Sequence, residues 1–321
     1  MKPYFFKVFC LMAALGIGVP GVSQTSQPPD QEKGFTEIES FQGNVNSSDR
    51  LLRLDSTLGY DFNKHFGVFA GVPVYFAHTS TTTTSTTGTS SSTSTNNNGI
   101  GNVYVGLVLR MPHPEWNFAS TLTAAAPTGS TTNGYSSGRV NVDWSNHLDR
   151  TFNRITPFIE AGLANTVPDS PLLTRPFTSL GIVGHLEEGA EYELVHHFSV
   201  GASAYQVLPT GNQKVFSRVV TSGRSTSGAA ALGAAAPGVA APGKSGAALA
   251  NHHRPFETSF VSTGTDLTRE NGFTTWVAFQ PNQFWRAEVG YSRSMTFDFN
   301  SFTFNLGLDV AKLVRSRKGT Q

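Results

Sequence analysis

Residues 51–62 read LLRLDSTLGYDF, and this stretch decides the fold. Leu52, Leu54, Leu58, Tyr60 and Phe62 share one parity, while Arg53, Asp55, Thr57, Gly59 and Asp61 share the other. A period of two puts these sets on opposite faces of a β-strand, whereas a helix would turn residues two apart to different faces. The stretch is also long enough to cross a bilayer. A transmembrane strand takes about 9–11 residues, with side chains pointing to lipid and lumen in turn.

The pattern repeats along the chain. Phe302, Phe304, Leu306, Leu308 and Val310 alternate with Thr303, Asn305, Gly307 and Asp309. Val103, Val105, Leu107 and Leu109 oppose Asn102, Tyr104, Gly106 and Arg110. Val140, Val142 and Trp144 oppose Arg139, Asn141, Asp143 and Ser145, and Trp285, Ala287, Val289 and Tyr291 oppose Arg286, Glu288 and Ser292. Eleven strands are predicted, at about 51–62, 66–78, 101–111, 116–126, 139–146, 155–166, 179–194, 198–208, 271–280, 284–295 and 300–310.

Connections alternate between short turns and longer loops at 79–100, 127–138, 167–178 and 209–270, with a short exception at 296–299. Outer-membrane barrels have short periplasmic turns and longer external loops, which assigns the sides. The strand at 51–62 then runs inward, so one earlier strand must cross outward from the periplasm. Only about 35–43 can supply it, and the total becomes twelve, an even number as such barrels require. The expected fold is an all-β transmembrane antiparallel barrel of about twelve strands. A soluble β-sandwich would alternate too. The long strands, and the apolar face that nearly every strand keeps clear of charge, favour the barrel. Glu188, and Arg293 near the external rim, are the exceptions.

The ends agree. Lys2 and Lys7 precede an apolar stretch from Val8 to Val19, and Gly21-Val22-Ser23 supplies small residues before Gln24. This is the layout of a signal peptide at 1–23, too short to span a bilayer as a helix. Residues 24–34 are then a periplasmic segment, 35–310 the barrel and 311–321 a basic periplasmic tail. Cleavage removes Cys10, the single cysteine, and with it any disulfide, thiolate or cysteine metal ligand. Charged residues are 14% of the chain, against about 25% in soluble domains, and the formal net charge of +1 offers no field for nucleic acid. Residues 79–98 are nearly all Thr, Ser and Asn, and 221–250 are rich in Ala, Gly, Ser and Pro. Both are expected to be external and without fixed structure.

Gly99-Ile100-Gly101-Asn102 opens a strand, and Thr121-Leu122-Thr123-Ala124-Ala125-Ala126 runs into Pro127-Thr128-Gly129. Ser136-Ser137-Gly138 then precedes a strand with Asp143. This order resembles the outer-membrane transporters grouped as the MetA-pathway of phenol degradation family. Its members have a Gly-x-Gly-Asp strand opening, a Pro-Thr-Gly after a strand and a glycine-rich turn before the next. The likeness covers 99–166 closely and 51–310 in strand layout. Asn102 stands where the family has aspartate. Lys312, Arg315, Arg317 and Lys318 follow the last strand, where many barrels end on an aromatic residue read by the barrel-assembly machinery. The resemblance implies passage of small, aromatic or hydrophobic compounds.

Catalysis is not expected. His78-Thr79-Ser80 and His197-Phe198-Ser199 place an imidazole two residues from a hydroxyl, the spacing of an activated serine, but the spacing arises readily by chance beside a Thr/Ser run. His196-His197 and His252-His253 are adjacent and point apart on a strand, so no metal or cofactor is expected. The candidate pore-lining residues are Arg53, Asp55, Arg110, Arg139, Asp143, Glu160, His185, Glu187, Glu191, Glu193, Arg286 and Glu288. They either hydrate the interior or set its selectivity. Barrels of about eight strands fill themselves and those of about sixteen leave a wide channel, so a narrow or partly blocked pore is expected. The sequence thus points to a passive outer-membrane channel for small solutes, with lipid and the assembly machinery as partners. A non-conducting barrel that displays its loops is the alternative.

Overall fold

The structure is a computed structural model that describes residues 33–45, 49–84, 90–170, 172–218, 261–263, 269–282, 284–310 and 313. The segments read as signal peptide, the tract at 221–250 and nearly all of the basic tail lie outside the described residues.

Twelve long strands form the barrel: β1 (Gly34–Val45), β2 (Asp49–Asp61), β3 (Phe66–Thr84), β5 (Tyr104–Pro112), β6 (Asn117–Ala125), β7 (Asn141–Asp149), β8 (Ile155–Ala164), β10 (Val183–Val195), β11 (Phe198–Pro209), β14 (Glu270–Phe279), β15 (Trp285–Ser294) and β16 (Phe299–Asp309). Four further strands stand outside the wall: β4 (Ser90–Ile100), β9 (Phe177–Leu180), β12 (Lys214–Ser217) and β13 (Val261–Thr263). Each wall strand pairs antiparallel with its neighbours, and the sheet closes on itself. β1 pairs β16 from Thr36↔Asp309 to Asn44↔Ser301, and β2 on its other edge from Gly34↔Asp61 to Val45↔Arg50. Closure leaves no strand edge, the condition a sheet must meet in hydrocarbon, where no water can satisfy a free peptide group.

The faces fall as the alternation predicts. Leu58, Phe66, Val105, Leu107, Trp144, Leu163, Val289 and Phe302 point outward and are 48–59% exposed. Asp55, Asp61, Glu288, Ser292, Ser301, Thr303 and Asn305 point inward and are buried. This inverts a water-soluble sandwich and gives a belt of apolar side chains that only lipid can cover. Aromatic contacts gird the short-turn end, in the groups Phe35–Tyr60–Phe62 and Phe198–Phe279–Trp285. The protein is an outer-membrane barrel, with its short turns gathered at one end.

Four expectations change. The Thr/Ser tract at 79–98 is not a structureless loop. β3 runs on to Thr84, and β4 pairs it from Val74↔Ile100 to Thr84↔Ser90. Threonine favours extended backbone, and the β3–β4 ladder pairs the peptide groups of the tract with one another. At about 3.4 Å per residue the 19-residue β3 outruns the bilayer by roughly 25 Å. The stretch at 179–194 splits at Gly181, whose φ of +148° ends β9 before β10 begins. Residues 209–270 contribute β12 and β13, which join β9 in a small three-stranded sheet. The loop expected outside at 167–178 folds into the barrel instead.

Leu306 lies on the lipid face and its neighbour Gly307 on the lumen face, where nothing lies within 4 Å of an added Cβ. Leu306→Arg should cost about 2–4 kcal/mol in denaturant titrations of protein folded in lipid vesicles. Gly307→Ser should leave the midpoint unchanged. Equal losses at the two positions would refute the facing of β16.

Candidate functional site

The connection between β8 and β9 carries three prolines, an Asp, two leucines and an Arg, and it folds as a plug. Its partners are lumen-face residues on widely separated strands. Gln42 of β1 donates from Nε2 to the Ser170 carbonyl at 3.1 Å and accepts a hydrogen bond from Thr174. Ser292 of β15 donates to the Leu172 carbonyl at 2.7 Å. Leu172 is buried against Phe158, Trp276 and Ala278. A Cβ on Gly290 would come within 2.7 Å of Leu172 Cδ2, so a larger residue there would push the Leu172 side chain aside.

Two buried ion pairs fix the plug. Asp169 accepts from Arg218 Nη1 at 2.6 and 2.9 Å, from the Tyr75 hydroxyl at 3.0 Å and from the Arg175 backbone N–H at 2.9 Å. The Arg218 guanidinium also lies 4.8 Å over the Tyr75 ring, which stacks on Tyr135. Arg175 donates from Nε to Glu270 Oε2 at 2.7 Å, and Tyr205 donates to Glu270 Oε1 at 2.8 Å. Burial alone would raise the Asp169 pKa, but the guanidiniums of Arg218, Arg53 and Arg175 and the Arg175 N–H outweigh it and hold the carboxyl below its ordinary value. Burial pushes the Tyr135 hydroxyl up to about 12, so it stays a neutral donor to the Asn97 carbonyl.

Beneath the plug runs a cavity of about 620 Å³ that reaches the short-turn end at Lys64, Pro112, Phe284 and Trp285. Nine of the predicted pore residues line it: Arg53, Asp55, Arg110, Asp143, Glu160, His185, Glu187, Arg286 and Glu288. Glu191 meets the same wall through Arg286, whose Nη2 donates to it at 3.0 Å. Arg139 and Glu193 are placed elsewhere. β7 begins only at Asn141, which leaves Arg139 exposed in the connection before it, and Glu193 is exposed near the short-turn end of β10.

Most of the arginine-bearing wall is one hydrogen-bonded chain, with the Arg110–Asp61 pair beside it. Arg53 pairs with Asp55 and donates to Gln42 Oε1 at 3.3 Å, and Gln42 donates to Ser40 at 3.1 Å. Ser40 donates to Asn305 at 2.6 Å, Asn305 to Glu288 at 3.1 Å, and Arg286 to Glu288 at 3.2 Å. Tyr104 donates to Asp55 at 2.8 Å, and Arg110 bridges to Asp61 at 2.6 Å. No group of three or more His, Cys, Asp or Glu among the described residues is arranged to hold a metal ion.

Sequence reasoning missed the plug anchors Gln42, Tyr75, Asp169, Arg175, Arg218 and Glu270. The available signal was a buried-type pair, Leu172-Leu173, inside a loop meant for water. It also missed His147 and Asp149 by ending the strand at 146, although the outward parity of Val142 and Trp144 continues to Leu148.

Because the folded-state pKa of Asp169 is depressed, its stabilisation is complete above the ordinary carboxylate value and is lost as pH falls through the lower folded one. Trp276 fluorescence reports the plug through Leu172. In vesicles it should stay constant from about pH 7 to 5 and shift red only below about pH 4. Asp169→Asn should show the shifted spectrum already at neutral pH. A pH-independent spectrum, or a transition near neutrality, would refute this account.

No family model matches the chain, and no curated protein does. Among solved structures, it is similar to an outer-membrane channel of Pseudomonas putida F1 at a TM-score of 0.51 and 8% identity, covering 90% of this chain and 99% of that one. A NanC porin aligns at a TM-score of 0.46 and 8% identity, covering 85% of this chain and 99% of that one. At such identity the first likeness establishes one thing, the closed outer-membrane barrel fold.

Proposed function

We propose that the protein is a plug-narrowed channel for passive passage of small solutes across the outer membrane. One observation carries this reading: a cavity of about 620 Å³ runs from the short-turn rim up to the loop that folds into the lumen. That volume is in the range of cavities that enclose a small molecule, roughly 300–1,000 Å³. The wall mixes rings with charges, since Phe69, Tyr75, Tyr104 and Tyr205 stand among Arg53, Asp55 and Glu187. A flat aromatic solute with a polar group would find both a stacking surface and hydrogen-bond partners along this path. The resemblance of residues 99–166 to the MetA-pathway of phenol degradation family supports the same solute class. The segment from Phe302 to Val310 would serve as the internal signal for the barrel-assembly machinery.

Single-channel recording of refolded protein in planar bilayers tests the proposal. A small, steady conductance is expected. It should rise several-fold when the plug is released by the double variant Asp169→Asn and Arg175→Gln. Silence from both proteins would favour a barrel that only displays its external elements, a reading that the projecting β3–β4 ribbon supports.

A further inference from the structure

The lumen carries its charges unevenly. Arginines of the barrel strands lie on β2, β5 and β15. The five adjacent strands β6, β7, β8, β10 and β11 contain no Arg or Lys. Their inward faces instead carry Asp143, His147 and Asp149 on β7, Glu160 on β8, and His185 and Glu187 on β10. Registers set His147 opposite Glu160, and Glu160 opposite Glu187, in one row across three strands. Like charges directly opposite each other on neighbouring strands are destabilising.

Part of this group is satisfied locally. His185 meets Asp143 at 3.0 Å, Asn117 donates to Asp149 at 2.6 Å, and Ser203 donates to Glu187 at 2.5 Å. The β7 end of the row is not. His147 is 6% exposed, and its buried Nδ1 makes no hydrogen bond. It lies 3.6 Å from Glu160 Oε2, and Nε2 lies 3.7 Å from Asp149 Oδ1. Both gaps exceed hydrogen-bond length. A buried polar atom in this state calls for a further group.

Resting on the channel reading above, we propose that this wall is a binding site for organic cations with several N–H donors, such as ammonium or guanidinium head groups, and makes the pore cation-selective. An ammonium beside Glu160 and Glu187 would relieve their repulsion and offer separate N–H bonds to both carboxylates. His147, with Nδ1 as the acceptor, completes the site. A compact metal ion suits it poorly, since no three ligands converge.

The probe is ethylammonium chloride, used with the full refolded barrel. Under a potassium chloride gradient, the reversal potential should report several-fold preference for the cation. Millimolar ethylammonium should reduce the potassium current, and acetate should not. Glu160→Gln and Glu187→Gln should each lower the preference toward unity and weaken the block. If the barrel is silent, the channel reading fails alone, and calorimetric titration of ethylammonium into detergent-solubilised protein still tests the site. Heat evolution lost in Glu160→Gln supports it. Anion preference, unchanged selectivity in both variants, or titrations identical in wild type and variant would overturn it. Heat-modifiable gel mobility verifies that each variant has folded.

Discussion

In hydrocarbon a peptide group has no partner except another peptide group. Everything in this protein follows from meeting that constraint. The wall meets it by joining the first strand to the last, Thr36↔Asp309 through Asn44↔Ser301. Once the ladder is closed, side chains are free to invert the usual order of a globule. Apolar residues such as Leu107 and Val289 face out, and the polar ones face a lumen that must then manage its own charge. The lumen does so by pairing. Burying an ion alone is costly, so Arg53, Arg110, Arg286, Arg175 and Arg218 each sit on a carboxylate.

The plug uses the same chemistry for a different end. It brings apolar side chains into a polar tube, where Leu172 finds Phe158 and Trp276, and it brings Asp169 and Arg175 to partners supplied by distant segments. Removing one partner of such a buried pair leaves the other charge exposed to its full desolvation cost, about 3–5 kcal/mol in other proteins. A loop tied this way is far more rigid than its lack of regular structure suggests, so the lumen is narrowed at a defined place.

Much of this was legible in the sequence, because alternation is local. Leu51 to Phe62 and Phe302 to Val310 announce their faces without reference to anything else. β1 did not, since it turns Ile38 inward and Glu39 outward, and Glu39 accepts from Ser56 on the lipid side. Only the parity of the crossings revealed it. Most charged lumen residues were readable for the same local reason. The plug was not, because its contacts join residues 49 and 95 positions apart, as in Asp169–Arg218 and Arg175–Glu270. No period in a sequence encodes such a meeting. The Thr/Ser tract misled because low complexity resembles a linker, whereas threonine's β-branched side chain suits a ribbon.

The seam between β1 and β16 has a kinetic consequence. Ser40 and Asn305, which bond across it, are separated by 265 positions in sequence. The amino-terminal strand emerges first from synthesis and gains its second neighbour last. Until then it presents a row of unsatisfied donors and acceptors that any other chain could copy. Ring closure over so long a span is entropically slow, and hairpins such as β15–β16 form well before it. Biogenesis of this protein is therefore a problem of shielding one open edge during transit.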